Sequence, residues 1–162
     1  MKFAIYDLET RIPSNWTITL DRRSVYTGGA AAIMTPNKNN MQLYWDRLEK
    51  YTGKNPSVES YIGDYFERMK NTKSVKTFET SKGILRSEDE HEILPHEFNY
   101  VNKPALGRST SKRVMGALMY DKHSNRFAIL YSSWDATKEN PDESAIKEAI
   151  RTFECRCNKT TP

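Results

Sequence analysis

Residues 114–132, VMGALMYDKHSNRFAILYS, decide the fold. Two apolar runs, 114–120 and 126–132, flank the polar pentapeptide DKHSN, whose composition suits the turn of a β-hairpin. Strict alternation of apolar and polar residues is lost in both runs. A strand of that kind has both faces covered, so this hairpin is expected at the centre of a sheet.

Working outward, residues 16–20, WTITL, alternate as a half-buried strand, and residues 2–9, KFAIYDLE, read as another. Short strands around Gly28 and Gly29 complete an N-terminal antiparallel meander. The Asn-rich stretch 37–40 offers helix caps, and Met41, Tyr44, Trp45, Leu48 and Tyr51 follow helical spacing. Asn55 and Pro56 open a second helix whose stripe is Val58, Tyr61, Ile62, Tyr65, Phe66 and Met69. Residues 74–86 return to strand character. Residues 87–113 read as a long polar loop region with a short strand at 98–102. Asn140, Pro141, Asp142 and Glu143 start a last helix, which buries Ala145, Ile146, Ala149, Ile150 and Phe153. The expected class is α+β, a mainly antiparallel sheet with about three helices in a single domain over residues 1–162.

The chain has 162 residues, 37% of them hydrophobic and 11% aromatic. No apolar run approaches the ~18 residues of a membrane span. The N-terminal MKFAIYD meets a carboxylate too early for a signal peptide. The two cysteines, Cys155 and Cys157, are expected as reduced thiols, and a cytoplasmic location follows from these readings.

Net charge is +4, but it is strongly segregated. Residues 68–86 carry a net +5, residues 87–97 a net −5, and residues 103–126 a net +5. Clustered cations on a basic domain are the footprint of a polyanion binder. The candidate phosphate contacts are Lys73, Lys76, Lys82, Arg86, Lys103, Arg108, Lys112 and Arg113. The last three lie in GRSTSKR, residues 107–113, where hydroxyls, backbone N–H groups and guanidinium forks suit phosphate oxygens. Phe78 and Tyr100 stand beside these cations as candidate stacking rings, with a core role as the alternative.

Asp7 and Glu9, two apart on the expected first strand, would share one face, as ligands for divalent metal require. The segment FAIYDLET resembles the first motif of DEDD-type 3′–5′ exonucleases. Tyr131 and Asp135 match a Tyr-x-x-x-Asp pattern for a later motif. The resemblance implies a nuclease with Asp7, Glu9 and Asp135 as catalytic carboxylates and Mg²⁺ or Mn²⁺ as cofactor. The usual Thr-Gly after Glu-Thr is replaced by Arg11-Ile12, and no clear middle aspartate is present. His91 and His96 lie in EDEHEILPHE, where the second histidine comes one position late for a zinc-protease helix and Pro95 would break it.

Three functions follow. The first is a small basic nucleic-acid-binding protein, without a cofactor, using backbone contacts to DNA or RNA with little sequence specificity, of a kind that phages and mobile elements carry as accessories. The second is the metal-dependent nuclease. The third is a protein-interaction module that modulates a host enzyme through the acidic 87–97 stretch or an exposed aromatic face.

Overall fold

The computed structural model describes residues 1–50, 57–88 and 91–156. An eight-stranded antiparallel sheet forms its centre. It contains β3 (Thr17–Leu20), β4 (Gly29–Met34), β5 (Asn40–Arg47), β6 (Val75–Lys82), β7 (Arg86–Glu88), β8 (His91–Asn102), β9 (Thr110–Asp121) and β10 (Arg126–Asp135). The order is β3-β4-β5-β10-β9-β8-β6, with β7 also on β8. The β9–β10 hairpin is central, as its apolar runs require. Along it Met115, Ala117 and Met119 face one core, while Val114, Leu118 and Tyr120 face another.

The two faces are covered differently. On the first lie α2 (Glu143–Arg151) and a three-stranded sheet in the order β1-β2-β11, made of β1 (Lys2–Ile5), β2 (Leu8–Arg11) and β11 (Glu154–Cys155). Leu8, Ile146, Ala149 and Phe153 are fully buried there against Met41, Trp45 and Leu130. On the second face lies α1 (Val58–Lys70), which packs over β6, β8 and β9 with Val58, Ile62 and Phe66 buried. Ser57 caps α1, its Oγ accepting from Ser60 N at 3.1 Å. Asn55 and Pro56, read as its start, lie outside the described residues.

The α+β class with a mainly antiparallel sheet holds, but the described residues contain two α-helices rather than about three. The helix expected from Met41 is strand β5. Met41, Leu43 and Trp45 alternate into the core at 0%, 1% and 0% exposure, so period two overrides the helical spacing. Pairing explains the choice: β5 lies beside β10 over residues 41–47 and supplies the neighbour that an interior strand needs. The Asn-rich stretch is a β4–β5 turn rather than a helix cap. Asp142 is where α2 begins, yet its carboxylate accepts from Thr35 Oγ1 at 2.6 Å, Asn39 Nδ2 at 2.7 Å and Asn37 Nδ2 at 2.9 Å.

The expected strand over 2–9 is a hairpin. Tyr6 and Asp7 have φ of 47° and 68°, and Ile5 pairs with Leu8 across this two-residue turn. The polar loop expected over 87–113 is also corrected. Residues 86–88 and 91–102 are strands, and β9 begins at Thr110, leaving residues 103–109 as the loop. Alternation of Ile93 toward one core with Leu94 and Phe98 toward the other carries β8 through the acidic residues. Cys155 is disulfide-bonded, so the expectation of a reduced thiol is not met there, and Cys157 lies outside the described residues. No helix among the described residues is long and apolar enough to cross a membrane.

Candidate nucleic-acid interface

Among the described residues, α1 covers β6, β8, β9 and Phe127 on β10, and beyond it the same face of β3, β4, β5 and the rest of β10 lines an open space. The result is a groove of about 690 Å³ between the helix and the sheet. Its wall is Tyr61, Ile62, Tyr65 and Met69 from α1. Ala30 and Ala32 keep the floor low on β4, and Gln42, Tyr44, Ile129, Tyr131 and Ser133 continue it across β5 and β10. Five tyrosines among the described residues line it: Tyr44, Tyr61, Tyr65, Tyr100 and Tyr131. Strand periodicity puts Tyr44 and Tyr131 on this face, and the α1 spacing brings Tyr61 and Tyr65 over them.

The groove is electrically quiet. Asp21 is the one carboxylate among its described lining residues, and these include no Lys or Arg. Burial pushes His96 down to about 4, so this histidine is neutral near pH 7. Burial also holds the Tyr61 and Tyr65 phenols above the usual tyrosine range. Tyr131 Oη donates to Gln42 Oε1 at 2.9 Å, fixing the ring on the floor. Along β8 the His96 and Phe98 rings lie 9° from parallel, and Phe98 and Tyr100 lie 29° from parallel. This aromatic row ends at Tyr100, at one end of the groove.

The predicted cations divide by environment. Lys73 follows α1, Lys76 lies on β6, and Lys103 and Arg108 sit in the loop after β8, all exposed. Pairing of Val75 with Asn102 and of Asn102 with Thr110 gathers them at one end of the large sheet. Lys103 N donates to Ser74 O at 2.7 Å, which ties the two loops together. Lys112 joins this end, paired in register with Tyr100 on one side and Asp135 on the other. Lys82 is exposed at the far end of β6, opposite His96. Arg86 is drawn toward the smaller sheet, where Nη2 donates to Phe153 O at 3.0 Å. Arg113 is also held structurally. It bridges Glu97 at 2.5 Å and Glu143 at 3.0 Å and lies over the Trp134 ring at 5.5 Å.

The alternative carboxylate set does not converge. Asp7 sits in the β1–β2 turn. Glu9, buried on β2, is bonded to Lys2 at 2.8 Å and Arg156 at 2.5 Å. Asp135, on the large sheet, accepts from Thr137 N and Oγ1. Both histidines are buried on β8, and their side chains point to opposite faces by strand alternation. The described residues contain no group of three or more His, Cys, Asp or Glu side chains placed to hold a metal ion.

The groove was not legible in the sequence, because Tyr44, Tyr61 and Tyr65 read as core stripes of two helices. The signal that could have found it was Tyr44 and Tyr131, each flanked by deeper apolar neighbours at odd spacing in a strand-like run. No family model and no curated protein matches the sequence. Among solved structures, the solution structure of cyanobacterial PsbP (CyanoP) from Synechocystis sp. PCC 6803 is similar, with a TM-score of 0.58 and 10% sequence identity. The match covers 96% of this chain and 91% of that one, and at that identity the likeness concerns the fold.

Proposed function

We propose that this chain is a non-enzymatic nucleic-acid-binding protein that works mainly through phosphate contacts. One observation carries the reading. Lys73, Lys76, Lys103 and Arg108 gather at one sheet end, exposed and without ion-pair partners among the described residues, and Lys112 adjoins them. Cations that serve stability alone tend to be paired, as Lys2, Lys50, Arg113 and Lys147 are here. Unpaired ones side by side repel each other and are stabilised by an incoming polyanion.

A gel-shift titration with single- and double-stranded DNA and RNA at two salt concentrations, with and without Mg²⁺, tests this. The expected result is a shift that weakens steeply with salt, persists with chelator and leaves the probe intact. Changing Lys103, Arg108 and Lys112 together to Ala should flatten the log–log salt slope by roughly 0.7–0.9 for each phosphate no longer neutralised. A probe shortened only with Mg²⁺ would replace this reading with nuclease chemistry. Absence of any shift at low salt would sink it.

A further inference from the structure

Resting on that reading, we infer that the nucleic acid is single-stranded and that its unpaired bases enter the tyrosine-lined groove. Charge complementarity singles out this occupant. The groove is lined by tyrosine rings, apolar side chains and a neutral His96, with Asp21 as the one charged residue and no Lys or Arg among its described lining residues. The cations stand outside it, at the sheet end where Tyr100 pairs with Lys112. A nucleotide strand has the same division, with flat neutral bases on one side of its backbone and anionic phosphates on the other. Duplex DNA would turn only phosphates and groove edges toward the protein and leave the groove empty.

The dimensions agree. A volume of about 690 Å³ lies within the range of sites that hold ring-sized ligands. The near-parallel row His96, Phe98, Tyr100 runs toward the cationic end, so a base seated on Tyr100 would extend it. Tyr131, fixed by Gln42, offers a second ring on the floor. Stacking of this kind tolerates any base, which fits a protein with little sequence specificity.

The test compares two strands of about ten nucleotides by fluorescence anisotropy, oligothymidylate and an abasic strand with the same phosphates. The unmodified protein should bind oligothymidylate at least ~10-fold more tightly than the abasic strand. Tyr100→Leu and Tyr131→Leu, which keep apolar bulk, should each weaken oligothymidylate binding by about 10-fold and leave abasic binding unchanged. Equal affinity of the unmodified protein for the two strands would overturn the inference and leave the phosphate reading standing. So would a duplex bound as tightly as oligothymidylate. If neither strand binds at low salt, both the inference and the reading beneath it fail.

Discussion

Gly116 stands directly opposite His96 in the β8–β9 ladder, and a Cβ on it would come within 3.1 Å of His96 Cε1. The same Cβ would meet Leu130 O at 2.8 Å and Tyr131 Cβ at 2.9 Å, so the crowding involves backbone as well as side chain. Glycine here lets an imidazole on β8 and a tyrosine on β10 flank β9 on the groove face. Gly116→Ala is expected to destabilise the fold by about 1–3 kcal/mol through overpacking. Urea unfolding measures it, and a change below ~0.5 kcal/mol would show that the sheet relaxes around the methyl group.

The same histidine makes stability depend on pH. Burial lowers His96 from 6.5 to about 4, so the unfolded chain binds this proton more readily than the folded one. The contribution is fully present above about 6.5 and is lost as pH falls toward 4. Its full size is about 3 kcal/mol. Unfolding free energies at several pH values should therefore decline through this window. In His96→Asn that part of the decline should vanish, and an unchanged profile would assign it elsewhere.

What could be read from the sequence followed the uniqueness of the local pattern. The run at 114–132 admits one arrangement, because two apolar strands around DKHSN have nowhere to go but the sheet centre. The stripe Val58, Ile62, Phe66 has no competing period-two reading. Residues 41–47 satisfy both periods, since Met41 and Trp45 are shared by a helical face and a strand face. Only the pairing with β10 decides between them, and that pairing joins segments far apart in the chain. Charge misled at 87–97, where Ile93 and Leu94 point to opposite cores on a strand that also carries Glu92 and Glu97. The cations were visible as types. Their division into paired Arg113, inward Arg86 and exposed Arg108 depended on tertiary structure.

Asp142 is expected to be a carboxylate on which stability depends. Burial alone would raise its pKa, but hydrogen bonds from Thr35, Asn39 and Asn37 outweigh it and hold the carboxyl below its usual range. Asp142→Ala removes all three and frees the β4–β5 turn from the start of α2. The expected destabilisation is about 3 kcal/mol, and smaller for Asp142→Asn, which keeps one acceptor oxygen. Thermal melts of both variants check this, and equal effects would mean that shape, not hydrogen bonding, is what the turn requires.

Arg126 ties the two sheets together from a fully buried position. Its Nη1 donates to Tyr6 O at 2.7 Å and Tyr26 O at 3.2 Å, Nε donates to Ser124 Oγ at 2.9 Å, and the guanidinium lies 4.0 Å from the Tyr26 ring centroid. Asp121, its partner in the β9–β10 register, is also fully buried. Arg126→Ala leaves that carboxylate without its neighbouring cation and should cost about 3–5 kcal/mol. Hydrogen exchange should show the β1–β2 hairpin losing protection first. Uniform loss across both sheets would refute the idea that Arg126 acts as a local tie.

Arg113 separates structural cations from ligand-binding ones. It lies in the same basic run as Arg108 and Lys112, yet its guanidinium joins Glu97 on β8 to Glu143 at the start of α2 and covers Trp134. Its partners raise its already high pKa, chiefly through the Glu97 hydrogen bond, so it stays charged at any pH at which the protein folds. Arg113→Ala is expected to cost about 1–2 kcal/mol, because the three groups are only partly screened from water. It should leave the salt slope of nucleic-acid binding as it is in the unmodified protein. Arg108→Ala should do the reverse, lowering the slope with stability kept within about 0.5 kcal/mol. Paired measurements of urea midpoint and salt slope on the two variants distinguish these roles. A flattened slope in Arg113→Ala would mean that phosphate competes successfully with Glu97 and Glu143 for this guanidinium.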